Sequence, residues 1–161
     1  MARPIRVFDG SFGRLQLIEA AAGEALQTTA APQIVVKQEG ADLDFQVDGE
    51  PLRLTRDNLL FFNPGVASRT NPAAGSHAQL LVFQASREWL RGGFPAMFNG
   101  AGRPFPSAIE SITQRIRQLA DTLAIEVMND QFLSHERLEF MLQELMLSIV
   151  ETYLARRQAG A

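Results

Sequence analysis

Two periods of hydrophobicity divide the chain. From about Ile5 to Phe83, short apolar or alternating segments are separated by Gly, Pro, Asn and Asp; from Ser107 onwards, apolar residues recur every three or four positions. Gln33–Gln38 (QIVVKQ) and Asp42–Val47 (DLDFQV) read as neighbouring strands joined around Gly40. The second alternates, with Leu43, Phe45 and Val47 on one face and Asp42, Asp44 and Gln46 on the other. Asp48-Gly49 carries the signal of a tight hairpin turn into Pro51–Thr55, and Arg56-Asp57-Asn58 reads as another turn. Leu59–Phe62 and Gln79–Phe83 are apolar on both faces, which predicts strands covered from two sides. Many short strands with regular turn signals predict a sandwich or barrel.

Outside these strands, Met1 to about Gly13 carries Ile5, Val7, Phe8 and Phe12 and reads as a first strand, or as an arm over a barrel mouth. Between Trp89 and Pro106, Phe94, Met97, Phe98 and Phe105 weight a Gly- and Pro-punctuated connector, which is expected to pack onto the barrel. Ser107 and Glu110 have capping-box spacing, and Ile109, Ile112, Ile116, Leu119 and Leu123 follow as one helical stripe up to Asn129-Asp130. Ser134 is placed to cap a second helix. In it Leu138, Leu142, Leu145 and Ile149 form a stripe that Met141, Met146, Leu147 and Val150 widen beyond one face. So wide an arc demands cover on two sides. Either the barrel or first helix lies on one side and a partner chain on the other, or the helix is sandwiched within its own core.

Composition narrows the function classes. The 161 residues suit one domain, and 46% apolar with 20% charged content is that of an ordinary globular protein. A net charge of -3 argues against a surface built for nucleic acid. The absence of cysteine excludes disulfides, thiol catalysis and iron–sulfur clusters. No apolar run reaches the roughly 18 residues of a membrane span, and MARPIRVFDG lacks a signal-peptide core, so a cytoplasmic protein is expected. The two histidines, His77 and His135, form no metal-binding spacing; Ser68-Arg69-Thr70 stands where a metal-binding barrel would carry a histidine pair. Asp42 and Asp44 belong to a solvated face, Trp89 reads as a packing anchor, and no nucleophile elbow or phosphate loop is present. The residues therefore predict no catalytic group, no metal and no cofactor. They leave Gln38, Thr70 and Gln79, polar positions in or beside apolar strands, as candidates for ligand contact.

The order QIVVKQEG, DFQVDGEPLRLTRDNLLFFNPG, LLVFQASREWL and FPAMF, followed by two helices ending in MLQELML, resembles the N-terminal domain of AraC/XylS-family transcriptional regulators over about residues 30 to 157. The resemblance implies a mainly β fold with C-terminal α structure: a cupin-like double-stranded β-helix (jelly-roll) barrel over residues 1–105, then two antiparallel helices in a dimerisation segment over 106–157. It implies a small-molecule effector bound by the barrel, with Gln38, Thr70, Gln79 and Leu81 at the family's contact positions, the last two on inward positions of the return strand. It also implies a homodimer through the helices, with Leu138, Leu142, Leu145, Met146 and Ile149 at the seam. DNA would be bound only by a further C-terminal domain that this chain lacks. A small cupin-type enzyme such as an isomerase or dioxygenase, and a dimerisation module whose interior Phe45, Phe61, Phe62 and Phe83 fill, remain the alternatives.

Overall fold

The computed structural model of the chain describes residues 3–21, 25–26, 30–70, 77–98, 103–129 and 134–154. They form ten strands: β1 (Arg3–Gly10), β2 (Gly13–Ala21), β3 (Ala25–Leu26), β4 (Gln33–Gly40), β5 (Leu43–Val47), β6 (Glu50–Leu54), β7 (Asn58–Phe62), β8 (Ser68–Thr70), β9 (His77–Ala85) and β10 (Ile109–Ser111). The three α-helices are α1 (Arg87–Gly93), α2 (Gln114–Met128) and α3 (His135–Ile149). One sheet runs β1-β2-β9-β4-β7-β10 and the other β3-β8-β5-β6, with antiparallel pairing throughout. The orders β2-β9-β4-β7 and β3-β8-β5-β6 are those of a jelly roll, in which strands distant in the chain lie side by side. The edge strands β1 and β10 extend the first sheet. The fold is mainly β with C-terminal helices.

The two-sided apolar strands explain the layering. Alternate residues of β4, β7 and β9 point to opposite faces. Val35, Leu60, Phe62, Leu80 and Val82 meet Leu43, Phe45, Val47 and Leu54 of the second sheet and fill the roll. Ile34, Val36, Leu59, Phe61, Leu81 and Phe83 pack instead under the helices, against Ile116, Leu123, Leu142 and Met146. Of the four phenylalanines considered as interior fillers, Phe45 and Phe62 are inside, while Phe61 and Phe83 belong to the helix-side core.

Local geometry follows the turn chemistry. Asp48 and Gly49 both take positive φ (49° and 81°), the conformation of a tight hairpin between β5 and β6. Gly13, at φ 118°, lets the β1–β2 turn press against the end of β9, where a Cβ would collide with the Gln84 carbonyl. Arg3–Gly10 is thus an edge strand in register with β2 (Arg3↔Glu19 to Gly10↔Gly13), and the reading of Met1–Gly13 as an arm over the barrel falls away for its described residues. The connector after β9 opens with α1, capped by the Ser86 hydroxyl, which accepts from the Trp89 N–H. Its later aromatic, Phe105, stacks on Phe61 at 4.6 Å between ring centres. Asn63 holds it there by donating to the Phe105 carbonyl and accepting from the Phe105 N–H.

One expectation about the helical half is corrected. The first helix begins at Gln114 under a Thr113 cap, not at Ser107. Ile109–Ser111 is drawn into the exposed edge of β7, where strand pairing satisfies backbone groups that would otherwise face solvent. Segment 106–157, whose residues 130–133 and 155–157 lie outside the described set, therefore contributes a strand to the barrel sheet as well as helices. Leu138, Leu142, Leu145, Met146 and Ile149, the residues expected at a dimer seam, are all buried against the sheet and α2 within this one chain. The apolar side chains that α3 leaves outside are Phe140, 73% exposed, and Leu147, 48% exposed. Ion pairs join the start of α2 to the far half of α3 (Arg115–Glu144) and the end of α2 to its beginning (Arg137–Glu126).

Leu145→Glu should therefore yield unfolded or insoluble protein whatever the oligomeric state, because an unpaired carboxylate in this core costs more than a marginally stable domain tolerates. Phe140→Glu should leave the melting temperature nearly unchanged. A cooperative native-like melt for Leu145→Glu, measured by circular dichroism, would contradict this packing.

Candidate functional site

Packed apolar side chains line the interior of the roll among the described residues. Among the described residues the buried polar and charged side chains are Gln33, Lys37 and Gln38, all on β4. Lys37 alternates with Val35 on the interior side, and its ammonium donates to the Gly40 carbonyl (2.7 Å) and to Asp42 (3.0 Å) at the end of the strand. Its charge is matched. Gln38 differs: it is 5% exposed, and its amide Nε2 is buried with no hydrogen-bond partner among the described residues. A buried donor left unpaired costs about 1–3 kcal/mol, so its persistence calls for a reason.

The backbone explains where Gln38 points. The β4–β9 register slips between Lys37 and Glu39, leaving Gln38 as the extra residue of a β-bulge. A bulge leaves a backbone group without its ladder partner, and here Arg56 supplies one, its Nη1 donating to the Gln38 carbonyl at 2.6 Å. The same guanidinium reaches Asp121 of α2 through Nη2 at 3.4 Å. Asp121 already takes two closer bonds from Arg117, from Nε at 3.1 Å and Nη2 at 2.8 Å. Burial lowers the pKa of the Arg117 guanidinium below its usual value, with Asp121 acting in the opposite direction. Two guanidinium groups thus share one carboxylate where the β6–β7 turn meets α2.

These groups border a cleft of about 420 Å³ between the end of the six-stranded sheet and α2, lined by Gln38, Glu39, Arg56, Gln79, Asp121 and, on the helix, Ala124, Ile125, Met128 and Asn129. Gln79 and Glu39 also border a smaller hollow of about 290 Å³ towards β1, with Ile5, Glu19 and His77. His77 is exposed there, 3.7 Å from Glu19. The cleft combines a buried donor, charges of both signs and an apolar wall, which is the make-up of a small-molecule site.

Of the four residues expected to contact ligand, the structure brings two together. Gln38 and Gln79 line the cleft. Leu81 is core, packed beneath the helices. Thr70 lies in the other sheet, paired with Phe45. Gln79 and Leu81 were expected on inward positions of the barrel; strand alternation turns both to the helix side, since Leu80 between them faces the interior. Arg56, Glu39, Asp121, Ile125 and Met128 were not anticipated. Arg56 reads locally as a turn residue, and its partner Asp121 is 65 positions away, beyond any periodicity. The one available signal was Ile125 and Met128, apolar residues off the stripe of α2. Trp89 is the anchor its context suggested: its ring meets Phe83 and Phe94 edge-on, and its Nε1 donates to Glu139 at 3.1 Å.

Among the described residues no group of three or more His, Asp or Glu side chains is placed to hold a metal ion, and no helix is long and apolar enough to cross a membrane. No protein-family model and no curated protein matches the chain. Solved structures similar to it include an RmlC-like cupin family protein with a double-stranded β-helix fold from Methanocaldococcus jannaschii, at 12% identity and a TM-score of 0.46, covering 57% of this chain and 86% of that one. A cupin domain from Bordetella pertussis matches at 14% identity and a TM-score of 0.42, covering 53% and 93%. A DMSP lyase from Ruegeria pomeroyi matches at 17% and 0.40, covering 49% and 41%. The jelly-roll assignment rests on the strand order described above.

Gln38→Leu replaces the unpartnered amide by an apolar group of similar size. It should stabilise the ligand-free protein by about 1 kcal/mol in urea unfolding. A loss of stability would mean that the amide is satisfied within the fold.

Proposed function

We propose that the chain is a small-molecule-sensing module, of the kind that AraC/XylS-family regulators carry beside a separate DNA-binding domain, and that its effector occupies the cleft between the β4 bulge and α2. The observation that carries this reading is the buried, unpartnered amide of Gln38 on the cleft wall. A site kept with an unsatisfied donor is suited to a ligand that supplies the acceptor. The apolar packing of the described residues inside the roll favours this position over the barrel interior.

The position also suits signalling. A ligand there touches the sheet through Gln38 and Gln79 and the helical layer through Ala124 and Ile125, so its binding energy bears on how α2 sits on the roll. Homodimerisation through the helices belongs to the same proposal. It would use the exposed Phe140 and Leu147 of α3, and DNA contact would fall to another domain.

A thermal-shift screen of the purified chain and Gln38→Leu against a metabolite library, with EDTA and with divalent metals, tests the proposal. A metal-independent rise is expected in the wild type and not in Gln38→Leu; mass action gives about 2.7 kcal/mol at a hundredfold excess over Kd. A rise with metal alone would turn the reading to a cupin-type enzyme, and silence throughout to a module that serves only to associate.

A further inference from the structure

The chemistry of the cleft is asymmetric enough to select a ligand class. Gln38 lines it, and its buried Nε2 lacks an acceptor among the described residues. Beside it, Arg56 is in surplus. Arg117 already binds Asp121 twice at shorter range, so the second guanidinium, which spends one N–H on the Gln38 carbonyl, retains further donors. On the same rim Glu39 is exposed and has no ion-pair partner among the described residues. The helical wall is hydrocarbon: Ala124, with Ile125 at 62% and Met128 at 43% exposure, large apolar side chains otherwise left to solvent.

Each contact excludes something. A simple amine leaves the Gln38 donor unpaired. A simple carboxylate meets Arg56 and Gln38 but sets a second anion against Glu39. A sugar has no use for the Ile125–Met128 wall. A zwitterion with a hydrocarbon side chain answers all three, and about 420 Å³ accommodates one.

We infer that the cleft binds an aliphatic α-amino acid. Its carboxylate accepts from Gln38 Nε2 and Arg56, its ammonium faces Glu39, and its side chain lies on Ala124, Ile125 and Met128. The inference rests on the sensing reading and specifies the ligand of that same cleft.

Isothermal titration of the full chain with leucine, isoleucine and methionine tests it, with 4-methylpentanoate and 3-methylbutylamine as analogues of leucine lacking the ammonium and the carboxylate. At least one amino acid should bind, and each analogue should be weaker by roughly tenfold or more, the loss of one charge-assisted contact. Glu39→Gln, an exposed change that leaves the fold intact, should weaken the amino acid by a similar factor and leave 4-methylpentanoate no weaker. Equal binding of 4-methylpentanoate and leucine, or indifference to Glu39→Gln, would overturn the assignment. Should none of the three amino acids bind while the metabolite screen yields another ligand that Gln38→Leu abolishes, the sensing reading stands and this assignment falls. Should neither experiment yield a ligand, both fall.

Discussion

A sheet that is apolar on both faces cannot stand at the surface, and the rest of this structure is organised around that requirement. In β4, β7 and β9 every second side chain enters the roll and the others emerge on the opposite face as an equally apolar layer. The four-stranded sheet covers the first face. The second needs α1, α2, α3 and the aromatic connector, which is why the helices share a core with the sheet instead of hanging from the barrel as an appendage. Burying one leucine-sized side chain is worth about 1.5–3 kcal/mol, so uncovering this face would exceed the stability of an ordinary domain.

The cleft follows from where that cover ends. Along β4 the residues beneath the helices are apolar until the bulge, and there Gln38 replaces hydrocarbon with an amide at the margin of α2. The bulge has two effects that flat pairing would not give. It turns a polar side chain into a buried position, and it frees a carbonyl that draws Arg56 over from the β6–β7 turn. Arg56 then meets Asp121 of α2. One inserted residue thus accounts for the floor of the cleft, its charged rim and its link to the helical layer.

Much of the barrel was legible because short-range patterns encode it. The two-sided apolarity of Leu59–Phe62 announced double coverage, the alternation of Leu43, Phe45 and Val47 named their common face, and Asp48-Gly49 and Ser134 marked their turn and cap by chemistry that needs no tertiary context. The misreadings arose where local signals competed with tertiary ones. Ser107 and Glu110 have the spacing of a capping box, but the open edge of β7 recruited the next residues as a strand. The broad apolar arc of α3 was equally compatible with a partner chain and with its own sheet, and periodicity cannot distinguish them. In the candidate site, Gln38 and Gln79 stood out as polar residues in apolar strands. Arg56, Asp121 and Ile125 did not, since only the fold brings a turn and a helix face together across such a span.

The docking of α3 has a practical corollary. Trp89 is the one tryptophan of the chain, and its indole is held edge-on between Phe83 and Phe94 and tethered to Glu139 of α3, a carboxylate that also accepts from Ser11. Three parts of the molecule, the first hairpin, α1 and α3, therefore converge on a single fluorophore. Its emission is a label-free gauge of whether the helical layer is seated, and because Trp89 does not line the cleft, a change in that emission on adding a ligand would register motion of the layer instead of contact with the ligand itself.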